Sequence, residues 1–498
     1  MNGNRLNPDV LHYTGVVVVW LGGLMLIPMA TALVFAEWAP LIDFAVSLGL
    51  TLCCGFGLML FGTRSRRGLT WTEGFASAAL SWIACMFLAA VPYYLSGHWG
   101  SYLDSLFDVM SGFTTTGLVL VQDLDHIPNS INMWRHLLTY VGGQGMVVLA
   151  LTVLSKGLPG AFKFYVGEAK DERLLPSVGR TAQAIWFISV VYLVIGTLVI
   201  AAAGIAIGMP PVRALLHGSW VFMGAWSTGG FAPQSQNINY YHSALLEFAT
   251  VPFMVVGSFN FALHYYVWTG RRREILRNVE IKVMTGSLAV LTLVALLPAA
   301  WSGLYTTGMS LSRRIVYQMI SAQTTTGFGN VYAQQIGGSW PVLTVFCLSL
   351  AMLLGGSASS TAGGFKGIRT GLVWAAVRRE VRKFMSPESA VVVGKIHTGD
   401  DVVIEDRNVM IAALIILLYV ATFAIGTLAG LAFGYPMPVA VFEAASVTGN
   451  TGLSAGLTSA GMPALLKVLY IAIMWAARLE FFSVMVFIGV AWRRLRSR

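Results

Sequence analysis

The sequence predicts an all-α polytopic membrane protein, in which a two-helix hairpin precedes four similar helical repeats around one axis. Of the 498 residues, 56% are hydrophobic and only 11% are charged, whereas soluble domains average about 25% charged residues. Apolar runs long enough to cross a bilayer core of about 30 Å recur along the chain. A short Thr/Gly-rich segment also recurs four times at equivalent places between apolar runs.

The first two apolar runs, about 15–37 and 41–62, predict the N-terminal hairpin, which we assign to residues 1–66. The first run is too long for the apolar part of a signal peptide and is followed at once by a second span, so we expect it to be retained. Further spans are predicted by the apolar runs at 75–94, 184–207 and 409–433.

The net charge of +10 reflects membrane topology. Most of the 32 basic residues lie in clusters between spans, and these clusters fall on one side if the chain crosses ten times. By the positive-inside rule this side is cytoplasmic, which predicts a multi-pass protein of the cytoplasmic (inner) membrane with both termini in the cytoplasm and no nucleic-acid partner. On the opposite side, four acidic residues are expected either to concentrate cations near an entrance or to act as ordinary loop charges and helix caps: Asp104, Asp108, Asp123 and Asp125.

Each predicted repeat contains an outward span, a short helix, a Thr/Gly-rich segment and a returning span. The short helices are predicted at about 101–113, 212–225, 312–323 and 438–447, each too short to cross a bilayer. The Thr/Gly-rich segments align on Gly117, Gly229, Gly327 and Gly452, which are 112, 98 and 125 residues apart. The corresponding repeat boundaries are 67–180, 181–282, 283–397 and 398–498.

This pattern predicts a cation filter. Non-helical backbone at membrane depth is tolerated where its carbonyl groups line a water- or ion-filled path, and a helix ending there directs its negative dipole end at that path. Four such segments could place rings of carbonyl oxygens around a potassium ion. The predicted architecture is therefore four pseudo-symmetric helix–pore-helix–filter–helix repeats around one central pore. A single Thr/Gly segment would more often be a plain turn; four equivalent copies favour the filter.

The chain resembles the Trk/Ktr/HKT superfamily of potassium transporters, and most of all the bacterial Trk-type membrane subunit. The resemblance is carried by the segments 111–117, 140–145 and 324–329, whereas the fourth segment, 449–453, departs more from the family pattern. It implies potassium uptake through backbone carbonyls. In some plant relatives a serine replaces the first filter glycine and selectivity shifts to sodium, so Gly117 favours potassium. The implied filter residues, which include the K+ ligands, are Thr115, Thr116, Gly117, Ser227, Thr228, Gly229, Thr325, Thr326, Gly327, Asn450, Thr451 and Gly452.

A run of ten small residues, 355–364, interrupts the third returning span and predicts a helix break at membrane depth. Either it forms a small-residue packing face or, as the resemblance implies, a mobile gating loop below the filter; the gate residues would be Gly355, Gly356, Ser357, Gly363 and Gly364. Arg478, in the fourth returning span, is either half of a structural ion pair or, by resemblance, a barrier in the pore. Glu480, two positions on, is not expected to be its direct partner.

The resemblance also implies a homodimer, in contact with the lipid bilayer, seated on a ring of cytosolic nucleotide-binding regulatory subunits. We expect no cofactor in this chain itself, with K+ as the bound and transported ion. Two alternatives remain open. The first is a sodium- or proton-coupled symporter of the same fold. The second, more remote, is a membrane-embedded enzyme using Ser357 or Ser360 as nucleophile, or Asp104 and Asp108 as a carboxylate pair.

Overall fold

The computed structural model is nearly all helical, as the apolar composition predicts. It describes residues 8–62, 70–121, 123–155, 178–387 and 389–496. The basic clusters at 64–67 and 156–173, which support the predicted orientation, lie outside these ranges. Within them, β-structure consists of one two-stranded antiparallel hairpin.

The N-terminal hairpin is formed by α1 (Pro8–Val34) and α2 (Trp38–Phe61). The two helices approach closely where Gly15 faces Gly55. A methyl group added at Gly15 would lie only 2.6 Å from the Gly55 carbonyl oxygen, so this crossing has no room for a side chain. Small residues at such crossings are typical of helix packing in lipid. The outer faces stay apolar and exposed, as at Trp20 and Leu60, which is the surface expected against hydrocarbon.

The four predicted short helices are all present. Their N-termini are held by local groups, for example the Ser101 hydroxyl, which accepts a hydrogen bond of 3.2 Å from the Asp104 amide. Pro210 and Pro436 occupy the N-cap position of the second and fourth short helices.

After the N-terminal hairpin the helices are α3 (Trp71–Ala89), α4 (Val91–Leu95), α5 (Tyr102–Phe113), α6 (Asn129–Ser155), α7 (Val178–Ala206), α8 (Pro211–Trp226), α9 (Ala244–Gly257), α10 (Phe261–Trp268), α11 (Glu274–Arg277), α12 (Val279–Trp301), α13 (Gly308–Gln323), α14 (Ala333–Gly338), α15 (Val342–Leu354), α16 (Gly367–Phe384), α17 (Asp406–Ala432), α18 (Met437–Thr448), α19 (Ala464–Arg478) and α20 (Phe482–Arg496). The four short helices are α5, α8, α13 and α18 in chain order. A 3₁₀ turn spans Asn237–Tyr241.

Six helices in the described part of the chain are long and apolar enough to cross a membrane, or eight if two sharply bent pairs each count as one span. The protein is therefore a multi-pass membrane protein, and the predicted all-helical fold is confirmed. The division into four repeats at the boundaries given above stays a prediction, as does the orientation of the termini.

Three of the four returning segments are broken, where the sequence indicated a break only in the third. The pair α9–α10 bends by 100° and the pair α19–α20 by 113°, and residues 355–366 separate α15 from α16. The break after α19 falls at Arg478, where Glu480 and Phe481 adopt positive φ values of 52° and 64°. Positive φ is uncommon for non-glycine residues and indicates a backbone held by its surroundings.

A small hairpin of β1 (Lys395–His397) and β2 (Asp401–Val403) packs beside α16, with Ile396 buried among apolar residues of α16 and α17. The His397 ring bridges two elements, with Nδ1 2.7 Å from Asp401 and Nε2 2.9 Å from Glu274 of α11. Burial lowers the pKa of His397, but the hydrogen bonds to Asp401 and Glu274 outweigh burial and raise the pKa above its ordinary value.

Candidate ion pathway

The four Thr/Gly-rich turns meet in a closed ring. A methyl group added at Gly117 would lie 2.5 Å from the carbonyl oxygen of Gly229 in the second turn. Three further glycines show the same close contact with the next turn. An added methyl group would clash with a carbonyl oxygen of that turn in each case: Gly230 with Thr326, Gly327 with Thr451, and Gly452 with Thr116. Each turn therefore contacts the next, and the fourth contacts the first.

The backbone of each turn alternates between negative and positive φ. In the first turn, Thr114 has φ −78°, Thr115 has φ +52° and Gly117 has φ +90°, with Thr116 between them outside the positive region. An extended strand with φ of one sign points successive carbonyls to opposite faces, whereas alternating signs turn them to the same side. The same alternation recurs in the other turns, with positive φ at Thr228 and Gly230, at Thr325 and Gly327, and at Asn450 and Gly452.

This alternation corrects the alignment of the second repeat by one residue. Gly230, with φ +60°, occupies the place of Gly117, and Gly229 occupies the place of Thr116. The hydrogen bonds agree, because Thr116 N donates to Ser111 O at 2.8 Å and Gly229 N donates to Gly224 O at 2.9 Å. The sequence contains Gly229-Gly230, so matching the Thr-Gly dipeptide chose the wrong glycine.

The side chains of the turns are buried inside the protein, including every threonine, serine and asparagine that was predicted to bind the ion. The first and fourth turns are also joined directly, with Asn450 Nδ2 donating to Thr116 Oγ1 at 3.0 Å. The structure thus brings all four predicted segments together, and what it assembles is a ring of backbone carbonyls with hydroxyl groups beside it.

Residues 355–366 lie against one end of this ring. The Thr361 hydroxyl accepts from Thr228 Oγ1 at 3.2 Å, and the Thr361 carbonyl accepts from Thr115 Oγ1 at 3.4 Å. Gly363 N donates to Thr325 Oγ1 at 2.8 Å, and the same glycine lies against the carbonyl of Gly449. One segment therefore contacts all four turns.

Gly355 and Gly364 form the neck of this segment. Both have positive φ, 71° and 76°, and their backbones approach so closely that neither position has room for a side chain. Gln323 Nε2 fixes the neck by donating to the Gly355 carbonyl at 2.9 Å, and Glu280 accepts from Ala358 N at 2.6 Å. The predicted break at 355–364 is thus a folded loop. Ser360 donates to the Ser357 carbonyl at 2.6 Å, a contact within the loop.

Arg478 ends α19 with its side chain buried against the same loop. Its Nη1 donates to the Thr361 carbonyl at 2.6 Å, and Nη2 donates to the Gly143 carbonyl at 3.3 Å. The Glu480 carboxylate pairs with Arg369 at 2.5 Å. The guanidinium is therefore held beneath the ring by backbone oxygens. Thr361, which contacts two turns and Arg478, was missed in the sequence; its place inside the small-residue run was the available signal.

Two of the four acidic residues expected near an entrance are not available to solvent. Asp104 pairs with Lys467 at 2.5 Å and is largely buried. Asp108 is fully buried and accepts from Trp99 Nε1 and Leu120 N, each at 2.7 Å. For these two residues the first alternative, concentrating cations near an entrance, is therefore wrong, because each carboxylate is paired or hydrogen-bonded inside the protein. Asp123 and Asp125 are exposed.

No group of three or more His, Cys, Asp or Glu side chains that could hold a metal ion occurs in the part of the chain that the structure describes.

The helices and the four-part ring define a class: a multi-pass membrane protein in which four short helices end at one ring of backbone turns. The TrkH family, described as cation transport proteins, matches residues 44–305 and 310–492. The chain belongs to this family of transporters and is not an enzyme. The predicted membership of the Trk group is confirmed.

The similarity to named relatives covers nearly the whole chain. This chain is 30% identical to the Trk system potassium uptake protein TrkH of Halomonas elongata, and the alignment covers 97% of this chain and 99% of the relative. It is 28% identical to an uncharacterized cation transporter of Methanocaldococcus jannaschii, covering 96% and 94%. The crystal structure of the potassium transporter TrkH from Vibrio parahaemolyticus shares the fold, with a TM-score of 0.81, 24% identity, and coverage of 96% and 98%.

Proposed function

We propose that this protein carries potassium into the cell across the cytoplasmic membrane. Family membership supports cation transport, and the full-length similarity to Trk system potassium uptake proteins supports potassium as the cation. The observation that carries the proposal is the closed ring of four turns with alternating φ. Such a ring can replace the hydration shell of a potassium ion with backbone oxygens.

The filter in this proposal consists of the carbonyl groups of residues 114–117, 227–230, 324–327 and 449–452. The four short helices end at these turns, so their negative dipole ends face the ion. The polar groups need no rearrangement when an ion enters, because the amide groups of the turns are already bonded to the helix ends. Preorganised oxygens of this kind favour one ion size over another.

The gate in this proposal is the 355–366 loop with Arg478. The loop contacts all four turns, and the buried guanidinium beneath it opposes a cation electrostatically. For ions to pass, Thr361 and Gly363 must leave the ring, and the glycine neck supplies the backbone freedom for that movement. Movement of this loop would thus be the step that a regulatory subunit controls.

We further propose that the chain works as a homodimer with a cytosolic nucleotide-binding regulatory subunit. The relatives are named as parts of a Trk system. The short β-hairpin and the charged helix end at Arg382 and Lys383 offer a polar surface for such a partner, outside the apolar spans.

A rubidium flux assay in liposomes tests the proposed function. We expect rubidium uptake by the purified protein to be inhibited by potassium at much lower concentrations than by sodium. Dissipating sodium and proton gradients should leave a potassium-driven flux, whereas dependence on either gradient would assign the protein to the coupled symporters. Absence of potassium-sensitive rubidium flux in both the wild type and Arg478→Ala, with each protein monodisperse and folded, would contradict the proposal.

A further inference from the structure

Four positions behind the ring are equivalent, because each lies nine residues before the ring glycine with positive φ. They are Asp108, Val221, Gln318 and Glu443. All lie on the four short helices, and all are buried. Two of the four are carboxylates, at adjacent places in the ring, since the fourth turn contacts the first.

Glu443 holds the segment that follows the fourth turn. Its Oε1 accepts from Ala455 N at 3.0 Å and Leu457 N at 3.1 Å, and also from Thr458 N and the Ser454 hydroxyl. Its Oε2 accepts from Thr458 Oγ1 at 2.9 Å. All five of these groups donate a hydrogen bond to Glu443. This matches an ionised carboxylate, which can only accept hydrogen bonds.

Asp108 makes the equivalent connection in the first repeat. It accepts from Leu120 N at 2.7 Å, and Leu120 lies three residues after Gly117, as Ala455 lies three residues after Gly452. Its second oxygen accepts from Trp99 Nε1 at 2.7 Å. The two carboxylates thus bond the same backbone amide in two repeats.

The other two repeats hold this segment without a carboxylate on the short helix. Gln318 Nε2 donates to Asn330 Oδ1 at 3.1 Å in the third repeat. In the second repeat, Arg135 Nη1 donates to the Ala232 carbonyl at 3.2 Å, with its guanidinium over the Phe231 ring at 4.6 Å. In the third repeat a carboxylate from another helix, Glu247 of α9, also accepts from Asn330 Nδ2 at 3.1 Å. Only the first and fourth repeats therefore place a carboxylate on the short helix itself.

We propose that Asp108 and Glu443 are positioning residues that set ion selectivity, a role that rests on the proposed function of the ring as a potassium filter. Hydrogen bonds to an ionised acceptor are about twice as strong as neutral ones. Charge on these two carboxylates therefore fixes the residues just beyond the ring, and so fixes the spacing of the outermost carbonyls. Neither carboxylate touches the ion.

The test compares neutral variants of equal shape, Glu443→Gln and Asp108→Asn, with Glu37→Gln as the matched control. Glu37 also accepts four hydrogen bonds, from Asn129 N and Nδ2 and from Ser130 N and Oγ. These partners lie at the start of α6 and belong to none of the four turns. Loss of the same charge there should lower thermal stability and leave selectivity alone.

The readout is the ratio of the potassium and sodium concentrations that half-inhibit rubidium flux. A change in the amount of folded protein does not alter this ratio. We expect each ring-side variant to reduce potassium preference about fivefold or more, on the scale of one weakened charge-assisted hydrogen bond, and Glu37→Gln to stay within about twofold.

Wild-type selectivity in both ring-side variants would overturn the inference. If Glu443→Gln does not yield folded protein, Ser454→Ala removes one hydroxyl donor to the same carboxylate, and an unchanged ratio in that variant would equally overturn it. A wild-type protein that shows no potassium preference would instead refute the proposed function, so the two failures can be told apart.

Discussion

Gly117→Ala is the sharpest perturbation of the ring, because a matched glycine exists elsewhere in the chain. Gly117 has φ +90° and Gly208 has φ +92°. An added methyl group at Gly117 would lie 2.5 Å from the Gly229 carbonyl oxygen, whereas no atom lies within 4 Å of one at Gly208. Both substitutions impose the same torsional strain, about 1–2 kcal/mol for a left-handed residue, and only one disturbs the ring.

The steric demand at Gly117 can be estimated from this distance. An ordinary van der Waals contact begins at 3.4 Å, so the Gly229 carbonyl must retreat by about 0.9 Å or turn away from the axis. A hydrogen bond to a charged group contributes about 1.5–3 kcal/mol, and we take this as the scale for one carbonyl oxygen facing an ion. Loss of one such oxygen from an ion site should therefore reduce potassium preference about ten- to one-hundredfold.

The assay is rubidium flux in liposomes with potassium and sodium as competitors, paired with thermal unfolding in detergent. We expect both variants to lose stability, Gly117→Ala more than Gly208→Ala because of its steric clash, and only Gly117→Ala to lose potassium preference. Wild-type selectivity in folded Gly117→Ala, or an equal loss in Gly208→Ala, would refute the reasoning.

Three further predictions concern residues beside the ring and in the β-hairpin. Arg478→Ala removes the charge held on the loop and should raise resting rubidium flux; an unchanged flux would argue against a barrier role. Lys467→Met leaves Asp104 buried without its partner and should lower stability by about 3–5 kcal/mol, with part of this loss restored by adding Asp104→Asn; the check is thermal unfolding. His397 has a raised pKa, so its contribution should be complete below its ordinary pKa of about 6.5 and be lost as pH rises through the raised value. Protection factors of the β-hairpin amides, which are exchange rates corrected for the intrinsic increase of exchange with pH, should accordingly fall over that upper range. His397→Gln should remove this fall, and wild-type protection factors that do not change with pH would contradict the prediction.

Much of the fold was predictable because membranes restrict the choice of structure. The first hairpin was expected at 15–37 and 41–62 and was found as Pro8–Val34 and Trp38–Phe61. Long apolar runs have few alternatives to helix in lipid. The short helix predicted at 312–323 begins four residues earlier, at Gly308, because the Thr307 side chain caps it at a point where the sequence is polar.

The features that sequence reasoning missed depend on long-range contacts. The break after Arg478 contains no proline or glycine that would announce it in the sequence. Glu480 and Phe481 take positive φ there, and tertiary contacts such as the ion pair of Glu480 with Arg369 hold the break. The alignment of the second turn moves from Gly229 to Gly230 because it is Gly230 that has positive φ and contacts the Thr326 carbonyl of the third turn. Asp108 was expected near an entrance because it lies on the side opposite the basic clusters. It is instead buried by partners that come before and after α5 in the sequence, Trp99 and Leu120.

Locating rubidium or thallium by anomalous scattering in crystals of the protein would test the ring itself. Our interpretation predicts anomalous peaks on the axis shared by the four turns, coordinated by carbonyl oxygens of residues 114–117 and their counterparts. Peaks confined to the protein surface, or an axis without heavy ions at saturating concentration, would contradict it.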